Sequence, residues 1–128
     1  MNYFISDNAA ENELIDNVEP PEVKLSAPAL SQTIGTWLVV AKNKRVNRDW
    51  EALMQRYPEN CSRCYEDLCN APTTRQPKRV FPLKGKVYQG VWEYEVTSGY
   101  SVFYVPNEEQ LKVVVYYAGK HPKNAPVP

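Results

Sequence analysis

Three segments near the carboxyl end decide the fold: Tyr88-Gln-Gly-Val-Trp-Glu-Tyr-Glu-Val96, Ser101-Val-Phe-Tyr-Val105 and Leu111-Lys-Val-Val-Val-Tyr-Tyr-Ala118. β-Branched and aromatic residues predominate in them, which is typical of strands. Turn residues separate the segments, at 97–99 and again at 106–109. Connections this short join antiparallel neighbours. These segments therefore predict a three-stranded antiparallel meander.

A short strand and two helices are predicted upstream of the meander. The strand is Trp37-Leu-Val-Val-Ala41. Asn47 can cap a first helix, in which Trp50, Leu53, Met54 and Tyr57 recur at helical spacing. Pro58 can begin a second helix, whose apolar face holds Cys61, Cys64, Tyr65, Leu68 and Cys69. The order β-α-α-β-β-β predicts an α+β domain with an antiparallel sheet packed on a helical hairpin.

The charge of the chain is unevenly distributed. The 128 residues carry 15 basic and 15 acidic side chains, which suits one domain of ordinary size. Residues 1–35 hold six acids and one base, net −5, whereas residues 36–128 hold fourteen bases and nine acids, net +5. We predict an acidic, Pro-containing arm over residues 1–33, with a short helix at about 8–18, and a basic domain over residues 34–128. Such asymmetry is typical of nucleic-acid surfaces and of ordinary solvated tails alike.

Several function classes find no support in the sequence. There is no glycine-rich phosphate loop, no His-Glu-x-x-His pair and no Gly-x-Ser-x-Gly elbow. The three cysteines recur on one helical face, which favours buried thiols over a zinc site, and we predict neither a metal nor another cofactor. The longest apolar run, Val113 to Ala118, is too short to span a membrane, and the amino end lacks a secretory signal. We therefore expect a cytoplasmic protein.

The candidate catalytic residues lie on and after the meander. Glu93 and Glu95 are two apart on a strand, so both side chains point to one face. They form either a solvated strand face or a site where one carboxylate is a general base, its pKa raised by its neighbour. His121 is the only histidine and follows the last strand, where it is either an ordinary loop residue or a general acid.

Basic residues surround the same strands. Together with nearby tyrosines they could neutralise phosphates and stack bases, although tyrosines serve equally well in a sheet core. The predicted RNA-binding residues are Arg75, Lys78, Arg79, Lys84, Lys86, Lys120 and Lys123.

The stretch from Pro82 to Tyr104, followed by the stretch from Leu111 to His121, resembles the RelE/ParE toxins of bacterial type II toxin–antitoxin systems. These toxins carry a leucine and a glycine, a strand that begins with an aromatic residue, a Ser-Gly-Tyr-like turn and a Val-rich last strand that ends in a Gly-Lys or Gly-His corner. The helical hairpin and the first strand lie where that family has them. The resemblance covers residues 36–123.

For ribosome-dependent members, the resemblance implies metal-independent cleavage of mRNA in the ribosomal decoding site. A base activates the ribose 2′-OH, basic residues stabilise the charge on the phosphate, and an acid protonates the leaving 5′-oxygen. A glutamate and a histidine take part in the YoeB branch. The resemblance thus implies Glu93 or Glu95 as the base, His121 as the acid and Lys84 or Lys86 as the charge stabiliser.

This chain also departs from the family pattern. Glu93 and Glu95 stand where RelE has two lysines, Ser101 stands where an arginine is frequent, and His121 replaces an arginine. Two carboxylates repel RNA, so a catalytically inactive RelE-fold module that binds RNA or a protein partner is a second interpretation. Gyrase inhibition of the ParE kind is a weaker third one.

The resemblance implies a cognate antitoxin as a partner. In these systems the antitoxin wraps the toxin with a helix and an extended segment. The acidic arm of residues 1–33 could do part of that work in cis, or it could be a solubilising tail.

Overall fold

The computed structural model describes residues 21–29, 31 and 35–128. Within these ranges the α+β class is confirmed. The strands are β1 (Val23–Lys24), β2 (Leu38–Ala41), β3 (Val80–Pro82), β4 (Trp92–Thr97), β5 (Tyr100–Asn107) and β6 (Lys112–Lys120). The helices are α1 (Lys44–Arg56) and α2 (Pro58–Asn70), and a 3-10 turn covers Lys86–Tyr88.

The six strands form one sheet in the order β1-β2-β6-β5-β4-β3. Strands β4, β5 and β6 form the predicted antiparallel meander. The sheet is mixed, however, because β2 lies parallel to β6, with Leu38 opposite Lys112 and Ala41 opposite Val115. After β2 the chain passes through the helical hairpin to β3 at the far edge of the sheet, and it returns through β4 and β5 to β6. A long connection of this kind allows β2 and β6 to pair in parallel.

The helix boundaries follow from local chemistry. The first helix begins at Lys44, and its N-cap is Asn43 rather than the predicted Asn47. The side chain of Asn43 accepts a hydrogen bond from the Val46 amide at 3.0 Å. The second begins at Pro58, as predicted. Strand β4 begins only at Trp92 rather than at the predicted Tyr88, because the 3-10 turn includes Tyr88 and Gly90 adopts a φ of 82°, which interrupts an extended strand.

The main core lies between the helices and one face of the sheet. Trp50 and Leu68 from the helices are fully buried against Tyr94, Tyr104 and Val113 from the strands. The Tyr104 hydroxyl donates a hydrogen bond to the carbonyl of Pro72 at 2.6 Å, which satisfies a polar group inside the core. We call this the helix side of the sheet and the opposite side the open face.

Residues 21–29, which the sequence analysis placed in the arm, contribute to the sheet. Leu25 is buried, and its amide donates to the Val39 carbonyl at 3.1 Å. The Ser26 carbonyl accepts a hydrogen bond from the Trp50 indole at 2.8 Å, and the Ser26 amide donates to Asn47 at 2.9 Å. The helix predicted at about 8–18 lies outside the described residues.

A second, smaller apolar cluster lies on the open face. Its buried residues are Val91, Phe103 and Tyr116. The carboxy-terminal tail, residues 122–128, folds against this cluster through Ala125. Tyr88 donates its hydroxyl hydrogen to the Ala125 carbonyl at 2.7 Å, and Tyr116 donates to the Pro126 carbonyl at 2.7 Å.

Candidate active site

Both candidate glutamates lie on the open face of β4. Glu93 is opposite Phe103 of the open-face cluster, and Glu95 is opposite Ser101. Directly opposed residues of an antiparallel pair project to the same face. Glu93 is only 3% exposed, which rules out the interpretation of this position as a solvated strand face. A carboxylate buried to this extent needs polar partners.

Glu93 finds those partners in Ser101 and His121. The Ser101 hydroxyl donates a hydrogen bond to Oε2 of Glu93 at 2.7 Å. The Nε2 atom of His121 lies 3.1 Å from the same oxygen, so the two residues form an ion pair when the imidazole is protonated. The His121 side chain is 42% exposed whereas the Glu93 side chain is 5% exposed, so only the histidine offers a broad surface to a ligand.

The backbone holds His121 at this position. Its amide donates to the Gly99 carbonyl at 2.9 Å, which ties the end of β6 to the turn between β4 and β5. The imidazole ring lies 5.9 Å from the Phe103 ring, centroid to centroid. The histidine is therefore fixed by the hairpin turn, by an aromatic neighbour and by a buried carboxylate.

Glu95 lies in a more open environment on the same strand. Partial burial raises the pKa of its carboxyl group, the charge of Glu93 raises it further, and His121 acts in the opposite direction. Glu95 lines a cleft of about 550 Å³ together with Arg75, Lys78 and Phe81. This environment shifts Glu95 towards the titration range of a general base.

The predicted basic residues fall into three places. Arg75 and Lys78 line the Glu95 cleft, and Arg79 is half-buried beside it, with its guanidinium donating to Gln76 at 3.3 Å. Lys84 and Lys86 are exposed near the 3-10 turn. Lys120 and Lys123 are exposed on either side of His121. In the described part of the chain, neither a hydrogen bond nor an ion pair joins Lys84 or Lys86 to Glu93 or His121.

Two residues, Ser101 and Arg56, were not identified from the sequence as candidate functional residues. Ser101 was considered only as a position where the family frequently has an arginine, whereas its hydroxyl donates a hydrogen bond to Glu93. The hairpin register, which sets Ser101 opposite Glu95 and next to Glu93, was the signal that could have identified it. Arg56 was also missed; its guanidinium donates to the Tyr100 hydroxyl on the helix side of the sheet, and no local sequence pattern joins residues 44 positions apart.

The three cysteine thiols are buried and unpaired on α2. Burial raises the pKa of Cys61 to about 12 and raises that of Cys64 well above its ordinary value. Across residues 21–29, 31 and 35–128, no three His, Cys, Asp or Glu side chains gather as a metal site would require. In the same ranges no helix is long and apolar enough to cross a membrane.

Comparison with known proteins identifies the fold. No protein-family model matches the chain, and no curated protein matches it. Among solved structures, the YoeB/ParE toxin from Agrobacterium tumefaciens is 21% identical with a TM-score of 0.51, and the match covers 66% of this chain and 98% of that one. A YoeB-YefM toxin-antitoxin complex from Staphylococcus aureus, a heterotetramer, is 11% identical with a TM-score of 0.51, and the match covers 69% of this chain and 100% of that one. This chain thus has the fold of the YoeB and ParE toxins, which confirms the resemblance at the level of fold.

Proposed function

We propose that this chain is a RelE/ParE-like toxin that inhibits translation by cleaving mRNA on the ribosome. The observation that carries the proposal is the 3.1 Å contact between the exposed His121 imidazole and the buried Glu93 carboxylate. It supplies an oriented proton donor on a fold shared with YoeB and ParE toxins. Glu95, on the same face, supplies a carboxylate whose pKa is raised.

The geometry supports a different role in the reaction for each of Glu95, His121 and Glu93. Glu95, as carboxylate, removes the proton of a ribose 2′-OH, and the 2′-oxygen then attacks the adjacent phosphorus. The bond from phosphorus to the 5′-oxygen breaks, and His121 gives its proton to that oxygen. The products are a 2′,3′-cyclic phosphate and a 5′-OH end. Glu93 is a positioning residue, because its oxygens are buried and engaged.

Positive charge near Glu95 offsets the repulsion between RNA and the two carboxylates. Arg75 and Lys78 line the same cleft as Glu95 and are exposed. Guanidinium and ammonium groups stabilise the charge that develops on the reacting phosphate. We assign this role to them because they share a cleft with Glu95.

A partner is part of the same proposal. One matched solved structure is a complex of a YoeB toxin with the YefM antitoxin. We infer that this chain, too, binds a cognate antitoxin. Copurification with the product of an adjoining small reading frame tests that inference, and failure of the two proteins to associate when coexpressed would refute it.

The decisive experiment adds the purified chain to programmed ribosomes and maps new mRNA ends. His121→Ala and Glu95→Gln should each lower cleavage by about 10²–10⁴-fold, as expected for loss of an acid or a base. Glu109→Gln, an exposed carboxylate in the turn after β5, is the matched control and should cleave normally. New mRNA ends that persist at the unmodified level with both active-site variants would refute the catalytic assignment.

A non-catalytic RelE-fold binding module is the second candidate. The burial of Glu93 and its engagement by Ser101, where the family frequently has an arginine, favour this alternative. It predicts that ribosomes or another partner are bound without new mRNA ends, and that His121→Ala leaves this binding unchanged. A DNA supercoiling assay with gyrase separates the weaker ParE-like alternative from both.

A further inference from the structure

A cationic cluster outside the Glu93–His121 pair occupies the junction of the helices and the sheet. Arg56, the last residue of α1, lies with its guanidinium carbon 5.0 Å from the ring centroid of Tyr100 and 5.3 Å from that of Tyr57. The guanidinium also donates to the Tyr100 hydroxyl at 2.6 Å and to the Tyr57 hydroxyl at 3.4 Å. The two rings lie 5.3 Å apart at 52°. We call these three residues the Arg56 cluster.

The cluster fixes a positive charge that no carboxylate neutralises within the described residues. Arg56 donates to the hydroxyls of the two tyrosines, and among the described residues Asp49, which lines the same hollow, forms no ion pair with it. Arg56 is exposed. Cation–π contacts hold a guanidinium in a defined plane, and a guanidinium has five donors, so some remain for an anion.

The position of the cluster relates it to the candidate active site. Tyr100 begins β5 immediately before Ser101, the partner of Glu93, and it is opposite Lys120, the residue before His121. A hollow of about 230 Å³ beside Arg56 is lined by Tyr100 and by Ala118 and Gly119 of β6. Because successive residues of a strand point to opposite faces, the cluster lies on the helix side of the sheet, at the end where His121 contacts Glu93 on the open face.

We infer that the Arg56 cluster binds a phosphate of a single-stranded RNA that passes around this end of the sheet to the Glu93–His121 pair. A planar guanidinium suits bidentate recognition of a phosphate, and tyrosine rings suit stacking of the adjacent base. The inference rests on the proposed function, since it assumes that the ligand is RNA.

The test measures binding of the full chain to a 2′-O-methyl RNA of about 12 nucleotides, which 2′-OH chemistry cannot cleave. Fluorescence anisotropy over a series of salt concentrations gives both affinity and salt slope. Arg56→Gln should lower affinity about tenfold and reduce the slope by about 0.7, the value for one phosphate contact on a single strand. Arg56→Lys should keep the slope and lose part of the affinity, because the charge remains while the planar fork is lost.

Arg63→Gln is the matched control, because it removes an exposed arginine from the other helix. It should leave the slope unchanged. Thermal unfolding of every variant separates binding from folding. Equal affinity and slope for Arg56→Gln and Arg63→Gln would overturn the inference, as would a melting-temperature loss for Arg56→Gln without any change in RNA binding.

The two proposals can fail separately. If the unmodified chain cleaves mRNA and Arg56→Gln binds RNA normally, the cluster is only a brace between helix and sheet, and the proposed function stands. If RNA binding depends on Arg56 but no mRNA is cleaved, the inference stands and the catalytic assignment falls.

Discussion

Ser101 donates its hydroxyl hydrogen to the Glu93 carboxylate at 2.7 Å, and both residues are buried beneath the open face of the sheet. The hydroxyl thus satisfies one oxygen of a carboxylate that water hardly reaches. Removing a partner from a buried charged group costs more free energy than an ordinary hydrogen bond contributes.

We predict that Ser101→Ala lowers the free energy of unfolding by about 1–3 kcal/mol. Urea denaturation followed by tryptophan fluorescence measures this change. Ser98→Ala, at an exposed position in the adjoining turn, is the control and should change stability by less than about 0.5 kcal/mol. Equal midpoints for the two variants would show that the Glu93 carboxylate does not depend on the hydroxyl.

The raised pKa of Glu95 predicts a pH dependence of stability. Between the ordinary value of 4.5 and the raised one, the folded chain binds more protons than the unfolded chain. The free energy of unfolding therefore falls as pH rises through this interval, and it stays lower at neutral pH. Glu95→Gln removes this titration, so the variant should be more stable than the unmodified chain at pH 7 and equally stable at about pH 3.

Melting temperatures measured from pH 3 to pH 8 test this expectation. The exposed Glu109→Gln serves again as the control. A constant difference between Glu95→Gln and the unmodified chain across the whole range would contradict it.

A side chain at position 35 is predicted to clash with the end of α2. A Cβ atom at Gly35 would lie 2.2 Å from the Cys69 carbonyl oxygen, which already accepts a hydrogen bond from the Trp37 amide. Gly35→Ala should therefore push the chain away from the end of α2 and lower stability by about 1–3 kcal/mol. Gly99→Ala is the matched control, because a Cβ there meets nothing within 4 Å. Similar unfolding midpoints for the two variants would show that the approach to Cys69 can relax freely.

Leu25 tests whether the segment of residues 21–29 is part of the folded unit. Its side chain is 1% exposed, so Leu25→Ala should cost about 2–5 kcal/mol. Leu38→Ala removes the same atoms from a side chain that is 50% exposed and should cost much less. A small and equal loss in both variants would place residues 21–29 outside the cooperative fold.

The sequence predicted those parts of the fold that local patterns encode. The helical hairpin and the meander follow from apolar periodicity and turn residues, and α2 begins at Pro58 as expected. Strand β1 was not predicted, because two residues carry no periodicity and its pairing depends on Leu25 and Ser26 meeting β2 and α1. The parallel pairing of β2 with β6 also depends on tertiary structure.

The candidate site also has a part that local sequence patterns predicted and a part that depends on tertiary structure. The alternation of β4 placed Glu93 and Glu95 on one face. Neither the burial of Glu93 nor its contact with His121 could be read from spacing, since both depend on how the end of β6 meets the turn at Gly99. The Arg56 cluster joins residues 44 positions apart, a separation that no local pattern reports.

Both tyrosine hydroxyls that hold the carboxy-terminal tail donate to backbone carbonyls, those of Ala125 and Pro126. Carbonyl oxygens are present whatever the side chain, so anchoring of this kind constrains the number of residues between His121 and Ala125 more tightly than their identity. Homologous chains should therefore tolerate substitutions in this tail better than insertions or deletions.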